Sequence, residues 1–329
     1  MTALAATRER PSLDLTAWAR RNSWTLGLLL LLVLLLTFTK LIQPNYGAFG
    51  IQGLGISILP LALAAVAQAI VVIAGGIDLS IGSAMALTSV VAATLMEGHG
   101  DAFGVAVVAG VLLLGILLGG INGTLVVTTR VPDIIVTLAT SFVWAGFALL
   151  VTAAPGGAAS PWLMALVSGP LFTEWLPKAA IVLVLIVAVI WIPLARSRLG
   201  VSLYAVGSDQ LAAFRSGVAI GMTKVIAYAI AGLFGALAGL SLTASTGIGT
   251  PVPGPYTLQS VAAVVLGGVS LAGGRGGVFG PIVAVIVLQL IQNDTTFLGI
   301  DPNYALVVQG VILVGVLILG SVLESRRAN

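Results

Sequence analysis

The stretch Leu26–Leu36 reads LGLLLLLVLLL, and the chain carries no charge between Arg21 and Lys40. A helix needs about 20 predominantly apolar residues to cross the hydrocarbon core of a bilayer, and this run is close to that length. The residues before it are polar and charged, and the run ends without the small-residue cleavage site of a signal peptide. We therefore predict a first membrane span that is retained, with a cytoplasmic tail over residues 1–22.

The composition extends this interpretation to the whole chain. Of the 329 residues, 59% are hydrophobic and 8% are charged, and the mean hydropathy is +1.15, whereas ordinary soluble proteins carry about 25% charged residues. These few charges cannot form the surface of a soluble enzyme, and a net charge of +3 is too small for a nucleic-acid-binding patch. The chain has no cysteine and a single histidine, His99, so disulfides and thiolate chemistry are excluded and no metal or other cofactor is expected.

Uncharged apolar runs recur along the chain, and we predict an all-α polytopic membrane protein of about ten transmembrane helices. A single transmembrane domain covers residues 23–323, and a cytoplasmic tail covers residues 324–329. The eighth run is short and leads into a glycine-rich segment, which favours a half-helix with a re-entrant turn. The predicted spans are 24–42, 52–74, 79–96, 103–128, 134–153, 179–195, 222–246, 257–269, 276–294 and 303–323.

The basic residues test this count, because cytoplasmic loops of membrane proteins carry an excess of lysine and arginine. With the N-terminus in the cytoplasm, ten spans leave only Lys40 and Lys178 of the 14 basic residues on the outer side. A wrong number of spans would distribute the basic residues over both sides of the membrane. We therefore predict that ten spans leave both termini in the cytoplasm. The residues assigned to the cytoplasmic side are Arg8, Arg10, Arg20, Arg21, Arg130, Arg196, Arg198, Arg215, Lys224, Arg275, Arg326 and Arg327.

The longest predicted cytoplasmic loop covers residues 196–221 and contains a candidate helix. Ser208 and Asp209 are both suited to cap its N-terminus, because their side-chain oxygens accept hydrogen bonds from free backbone N–H groups. Arg215 would lie near its C-terminus, and Gly217 would end it. The sequence predicts one short capped helix in this loop.

This candidate helix has an apolar face although it is predicted to lie outside the membrane. Leu211 and Phe214 are three residues apart and therefore share one side of a helix. The chain itself cannot hold ATP through a P-loop, since that motif needs a lysine directly after a glycine and none of the three lysines has one.

Asp78 is the one carboxylate predicted at membrane depth, where it follows Gly75 and Gly76. It is either a turn or cap residue that accepts hydrogen bonds from backbone N–H groups or a proton carrier, and the lack of other intramembrane charges favours the turn. Neutral polar side chains within spans either tie helices together or line a path for a neutral solute. The candidates for such a path are Gln68, Asn122, Thr140, Gln259 and Asn293.

Three segments resemble the signatures of ribose-type ABC-transporter permeases, the membrane subunits of bacterial monosaccharide importers. They are Ala74–Leu87 (AGGIDLSIGSAMAL), Arg198–Val218 (RLGVSLYAVGSDQLAAFRSGV) and Ala262–Gly277 (AAVVLGGVSLAGGRGG). The likeness covers about residues 25–323. It implies a type II importer-like permease in the bacterial cytoplasmic (inner) membrane, with two permease subunits, cytoplasmic ABC ATPase subunits and an extracytoplasmic sugar-binding protein.

The same resemblance implies which residues transmit the work of the ATPase. The family's coupling segment matches Gly200–Gly221, and the glycine-rich turn after the eighth run is a second candidate contact. The residues carried over are Ser208, Asp209, Leu211, Phe214, Arg215, Gly217 and Arg275. The chain departs from the family at Gln292-Asn293-Asp294, where Asn-Asn-Gly is frequent, so the sugar is not named. A stand-alone facilitator or secondary transporter for a neutral solute is the alternative.

Overall fold

The computed structural model describes residues 23–252 and 254–301, together with Tyr304, Val307, Gly310, Val311, Val314 and Gly315. Both predicted tails lie outside the described residues. The tenth predicted span also lies outside them, apart from these single positions. Every regular element in the described part is a helix. The helices are α1 (Ser23–Ile42), α2 (Ala48–Ile73), α3 (Ile81–Met96), α4 (Asp101–Thr129), α5 (Asp133–Val151), α6 (Pro161–Val167), α7 (Lys178–Arg196, with a π-helical turn at Val187–Trp191), α8 (Arg198–Ser208), α9 (Gln210–Arg215), α10 (Ile220–Thr246), α11 (Tyr256–Leu266) and α12 (Phe279–Phe297).

Six of these helices are long and apolar enough to cross a membrane, judged by length and composition. They are α1, α2, α4, α5, α7 and α10, and each matches a predicted span. Helices α3 and α11 are shorter, with 16 and 11 residues, and α12 is not among the six. The all-α class is therefore confirmed, while the count of ten spans stays a prediction.

Helices α2 and α10 form the centre of the bundle. The apolar stretch of α2 is 89% buried inside the protein, whereas that of α1 is 11% buried although the two are almost equally hydrophobic. A helix that is apolar on every side is stable either in a protein interior or in lipid. Tertiary packing, and not hydrophobicity, decides which of these helices is central.

Helices α4 and α10 approach each other backbone to backbone. Gly115, Gly119 and Gly123 follow one another at every fourth residue of α4 and face α10. A Cβ atom at Gly119 would overlap the carbonyl oxygen of Tyr228, and one at Gly232 would overlap that of Gly115. Small residues at this spacing allow membrane helices to pack closely. The contact places Tyr228 of α10 directly against α4.

The loops lie at two opposite ends of the bundle. One end, formed by residues 74–80, 130–132, 197–219 and 267–278, is called the basic end. At the other end, Gly156 and Gly249 exchange two backbone hydrogen bonds of 3.1 and 2.8 Å, and the N–H of Ala158 donates to the carbonyl of Ala93 at 3.1 Å. Six described basic residues lie at or beside the basic end, namely Arg130, Arg196, Arg198, Arg215, Lys224 and Arg275.

Helix α11 has the length of half a membrane span, as predicted for the eighth run. Its 11 residues rise about 16 Å, against a hydrocarbon core of about 30 Å. At its start, Thr257 Oγ1 accepts a 3.0 Å hydrogen bond from the N–H of Gly82 in the first turn of α3. At its end, the indole N–H of Trp24 donates to the carbonyl of Leu266 at 2.9 Å and so satisfies a C-terminal carbonyl. Helix α11 is thus held at both ends by other helices.

Candidate functional site

The segment predicted to hold one short helix contains two. Helix α8 ends at Ser208, and Asp209 caps the separate helix α9, where its Oδ1 accepts from the N–H groups of Leu211 at 2.8 Å and Ala212 at 3.0 Å. Of the two candidate caps, Asp209 therefore has the role and Ser208 does not. Gly217 follows α9 with φ of 82°, the left-handed conformation in which glycine commonly ends a helix.

The apolar face of α9 points away from the protein. The side chains of Leu211 and Phe214 are 59% and 67% exposed, whereas Ala213 between them is 4% exposed. Arg215 is exposed as well. Two large apolar side chains therefore remain uncovered on this short helix.

The glycine-rich loop with Arg275 lies beside this helix pair. The hydroxyl of Tyr204 on α8 donates to the carbonyl of Gly276 at 2.8 Å, and the Ser208 hydroxyl donates to the carbonyl of Gly274 at 3.5 Å. The structure thus brings the two predicted contact segments together. We call their exposed side chains the basic-end surface, which comprises Leu211, Phe214, Arg215, Leu271 and Arg275.

The turn after α2 depends on its two glycines. Gly75 has φ of 80°, and its N–H and that of Gly76 donate to the carbonyls of Val72 at 2.9 Å and Val71 at 3.0 Å, which closes the end of the helix. A Cβ atom at Gly76 would overlap the carboxylate of Asp133.

Asp78 fixes the chain between this turn and α3. Its carboxylate is buried, and Oδ1 accepts from both the N–H and the hydroxyl of Ser80, at 2.8 and 2.7 Å. The Ser80 hydroxyl in turn accepts a 2.6 Å hydrogen bond from Asn122 Nδ2 on α4. Helix α3 begins at Ile81 with Ser80 in the capping position, so Asp78 holds a turn and is not the helix cap.

A second polar cluster lies next to Asp78 and was not predicted from the sequence. Asp133 Oδ2 accepts from the Tyr228 hydroxyl at 3.0 Å and lies 3.6 Å from Lys224 Nζ. Thr137 Oγ1 accepts from the N–H of Leu79 at 3.0 Å. These contacts fasten α5 and α10 to the turn after α2. The sequence feature that could have revealed this cluster is an acid, Asp133, and a lysine, Lys224, at the edges of two predicted spans on the same predicted side of the membrane.

Replacement of Asp78 by alanine should lower the thermal unfolding temperature far more than replacement by asparagine. Alanine leaves the buried N–H of Ser80 without its acceptor, which costs about 1–3 kcal/mol, while asparagine keeps an oxygen at the Oδ1 position. Thermal unfolding of the purified protein in detergent measures both. Equal destabilisation by the two variants would show that the negative charge, and not the acceptor, stabilises the turn.

The five candidate path residues come from five different helices, and their role in a path stays a prediction. They lie on α2, α4, α5, α11 and α12 respectively. Asn122 lines a cavity of about 10 Å³ with Asp78 and Ser80, close to the minimum for one water molecule. Gln68 is fully buried, and among the described residues neither atom of its amide has a hydrogen-bond partner. Thr140 is buried, and Gln259 and Asn293 are half-buried.

Comparison with known proteins finds one matching family and several sugar permeases as relatives. The chain matches, over residues 50–317, the family described as "Branched-chain amino acid transport system / permease component". It is 32% identical to the ribose import permease protein RbsC of Haemophilus influenzae, over 87% of this chain and 90% of the relative. It is also 30% identical to the D-allose transport system permease protein AlsC of Escherichia coli (75% and 76%) and 31% identical to the fructose import permease protein FrcC of Rhizobium meliloti (75% and 71%).

No solved structure matches the chain significantly. The sequence match covers most of the described helices, from α2 to the single residues after α12. Its sugar-permease relatives are covered over most of their own length. The chain therefore belongs to the family of multi-pass membrane permease components that includes the sugar import permeases.

Proposed function

We propose that the chain is the permease subunit of an ATP-driven importer for a monosaccharide or a related polyol-like solute. The observation that supports this most strongly is the basic-end surface, where Leu211 and Phe214 are exposed on a capped helix beside the Arg275 loop. A chain with no P-loop of its own and an apolar contact surface of this kind is suited to receive force from a partner ATPase. The names of its ribose, allose and fructose relatives support a sugar as the solute.

In this proposal the basic end faces the cytoplasm, as do both termini, and residues 23–323 form one transmembrane domain. ATP binding and hydrolysis in the partner move the basic-end surface, and the helices open to each side of the membrane in turn. An extracytoplasmic binding protein delivers the sugar, and a second permease subunit, identical or related, completes the path. The permease has no catalytic role of its own.

Reconstitution tests the proposal. The chain is purified with the products of its neighbouring genes, and ATP hydrolysis is measured in liposomes with binding protein loaded with ribose, allose or fructose. We expect one loaded binding protein to stimulate hydrolysis and uptake of its sugar to require ATP. Uptake at the same rate without ATP, with no ATPase retained during purification, would instead establish the facilitator.

A further inference from the structure

Three backbone segments meet at Gly207, one residue before the end of α8. A Cβ atom at this position would overlap the carbonyl oxygen of Ile73 and lie 2.6 Å from the backbone nitrogen of Gly274. A Cβ atom at Gly273 would lie 2.7 Å from the carbonyl oxygen of Gly207 and 2.9 Å from the Cα of Gly75. The end of α2, the end of α8 and the 267–278 loop therefore touch through their backbones, with no side chain between them.

A hydrogen bond joins two of these segments directly. The carbonyl of Ile73 is one of the last in α2 and has no partner within the helix, and it accepts a 3.0 Å hydrogen bond from the N–H of Gly274. The left-handed conformation of the loop places this N–H, with φ of 87° at Gly273 and 68° at Gly274. The central helix α2 is thus bound to the loop that carries Arg275.

The same junction lies directly beside the basic-end surface. Gly207 is separated from Asp209, the cap of α9, by a single residue. Tyr204, one turn earlier in α8, holds the loop from the other side through its bond to Gly276. Backbone contacts between rigid elements transmit displacement better than contacts through flexible side chains, because no rotamer can absorb the movement.

We propose that Gly207 is a positioning residue that makes the basic-end surface and the end of α2 move as one unit. Its missing side chain allows α8, α2 and the 267–278 loop to stay in backbone contact while the surface is displaced. This inference rests on the proposed function, since it concerns how the movement of an ATPase reaches the centre of the membrane domain.

Gly207→Ala in the reconstituted complex tests the inference. Alanine suits the helical conformation of α8 better than glycine does, so the variant alters the contact without weakening the helix. We expect the ATPase to remain bound and to hydrolyse ATP, while the sugar imported per ATP falls about tenfold, since a misplacement of about 1 Å can have effects of this size. This ratio does not depend on the amount of folded complex, so a purely structural defect would leave it unchanged.

Two further variants complete the test. Gly120→Ala, on α4 with nothing within 4 Å of its Cβ position, should keep the wild-type ratio. Tyr204→Phe removes one hydrogen bond and almost no volume, and should lower the ratio about two- to fivefold, as expected for a loss near 1 kcal/mol. If Gly207→Ala does not assemble, the result for Tyr204→Phe decides whether the junction transmits the movement.

The outcomes separate the two proposals. A wild-type complex with no ATP-dependent uptake contradicts the proposed function. A working wild-type complex in which the assembled Gly207→Ala variant, or Tyr204→Phe in its place, imports the wild-type amount of sugar per ATP overturns the role of the junction alone.

Discussion

Replacing Leu211 and Phe214 together by aspartate is expected to abolish ATP-driven uptake while the protein still inserts into the membrane. Both side chains are more than half exposed, so the substitutions remove little internal packing. Covering a side chain of this kind on a partner contributes about 1.5–3 kcal/mol, and each new carboxylate would lose its hydration in the same contact. A loss of about 4 kcal/mol weakens binding roughly a thousandfold. Retention of the ATPase during purification and uptake into liposomes measure the two effects.

The matched control adds the same charge to the same helix without removing the apolar pair. Gln210 and Ser216 are exposed at the two ends of α9, and Gln210→Asp with Ser216→Asp should leave at least half of the uptake. If both double variants lose uptake equally, negative charge near α9 is the cause and the apolar pair is not the contact. Full uptake by the Leu211→Asp, Phe214→Asp protein would remove the basic-end surface from the mechanism.

The shared face of Leu211 and Phe214 could be predicted from the sequence because its signals are local. A capping side chain acts within two or three residues, and the i, i+3 spacing of Leu211 and Phe214 defines a face without any tertiary information. The choice between Ser208 and Asp209 as the cap of α9 could not be made from the local sequence. Ser208 belongs to α8, whose end is set by the contact of Gly207 with Ile73 and Gly274, and no short-range rule reveals that contact.

The location of the core could not be predicted from the sequence for a related reason. Hydrophobicity is the same for a helix that faces lipid and for one that faces protein, so α1 and α2 could not be told apart. The start of α3 is set by the Asp78–Ser80–Asn122 hydrogen bonds and by Thr257. Those partners come from helices far apart in the chain.

The roles of most polar residues also could not be assigned from the sequence alone. Asp78 stood out because a carboxylate among apolar runs is rare, and the adjacent glycines favoured a turn. Asp133 did not stand out, since it follows a loop with Arg130, and only the fold brings it to Tyr228 and Lys224. The five path candidates were selected by side-chain type alone, and whether they line one path stays a prediction.

Gly119→Leu is expected to prevent formation of the folded membrane domain. By helix propensity alone the change should stabilise α4 by about 0.8–1 kcal/mol. The tertiary contact has the opposite sign, because the Cβ atom would overlap the backbone of Tyr228 and the three further carbons of leucine would have to enter the same contact between two long helices. Overpacking of a dense interior costs about 1–3 kcal/mol or more, and separating α4 from α10 would also pull Tyr228 from Asp133.

The neighbouring glycine provides the control for this prediction. Gly120→Leu brings the same gain in helix propensity at a position where nothing lies within 4 Å of the Cβ, so the variant should unfold at or above the wild-type temperature. Yield after membrane extraction and thermal unfolding in detergent compare the two proteins. Because the substitutions differ by one residue in position and by nothing in chemistry, equal behaviour would mean that α4 and α10 are not in backbone contact. Loss of folded protein for Gly119→Leu alone would establish that the glycine row, and not the hydrophobicity of α4, holds the centre of the bundle together.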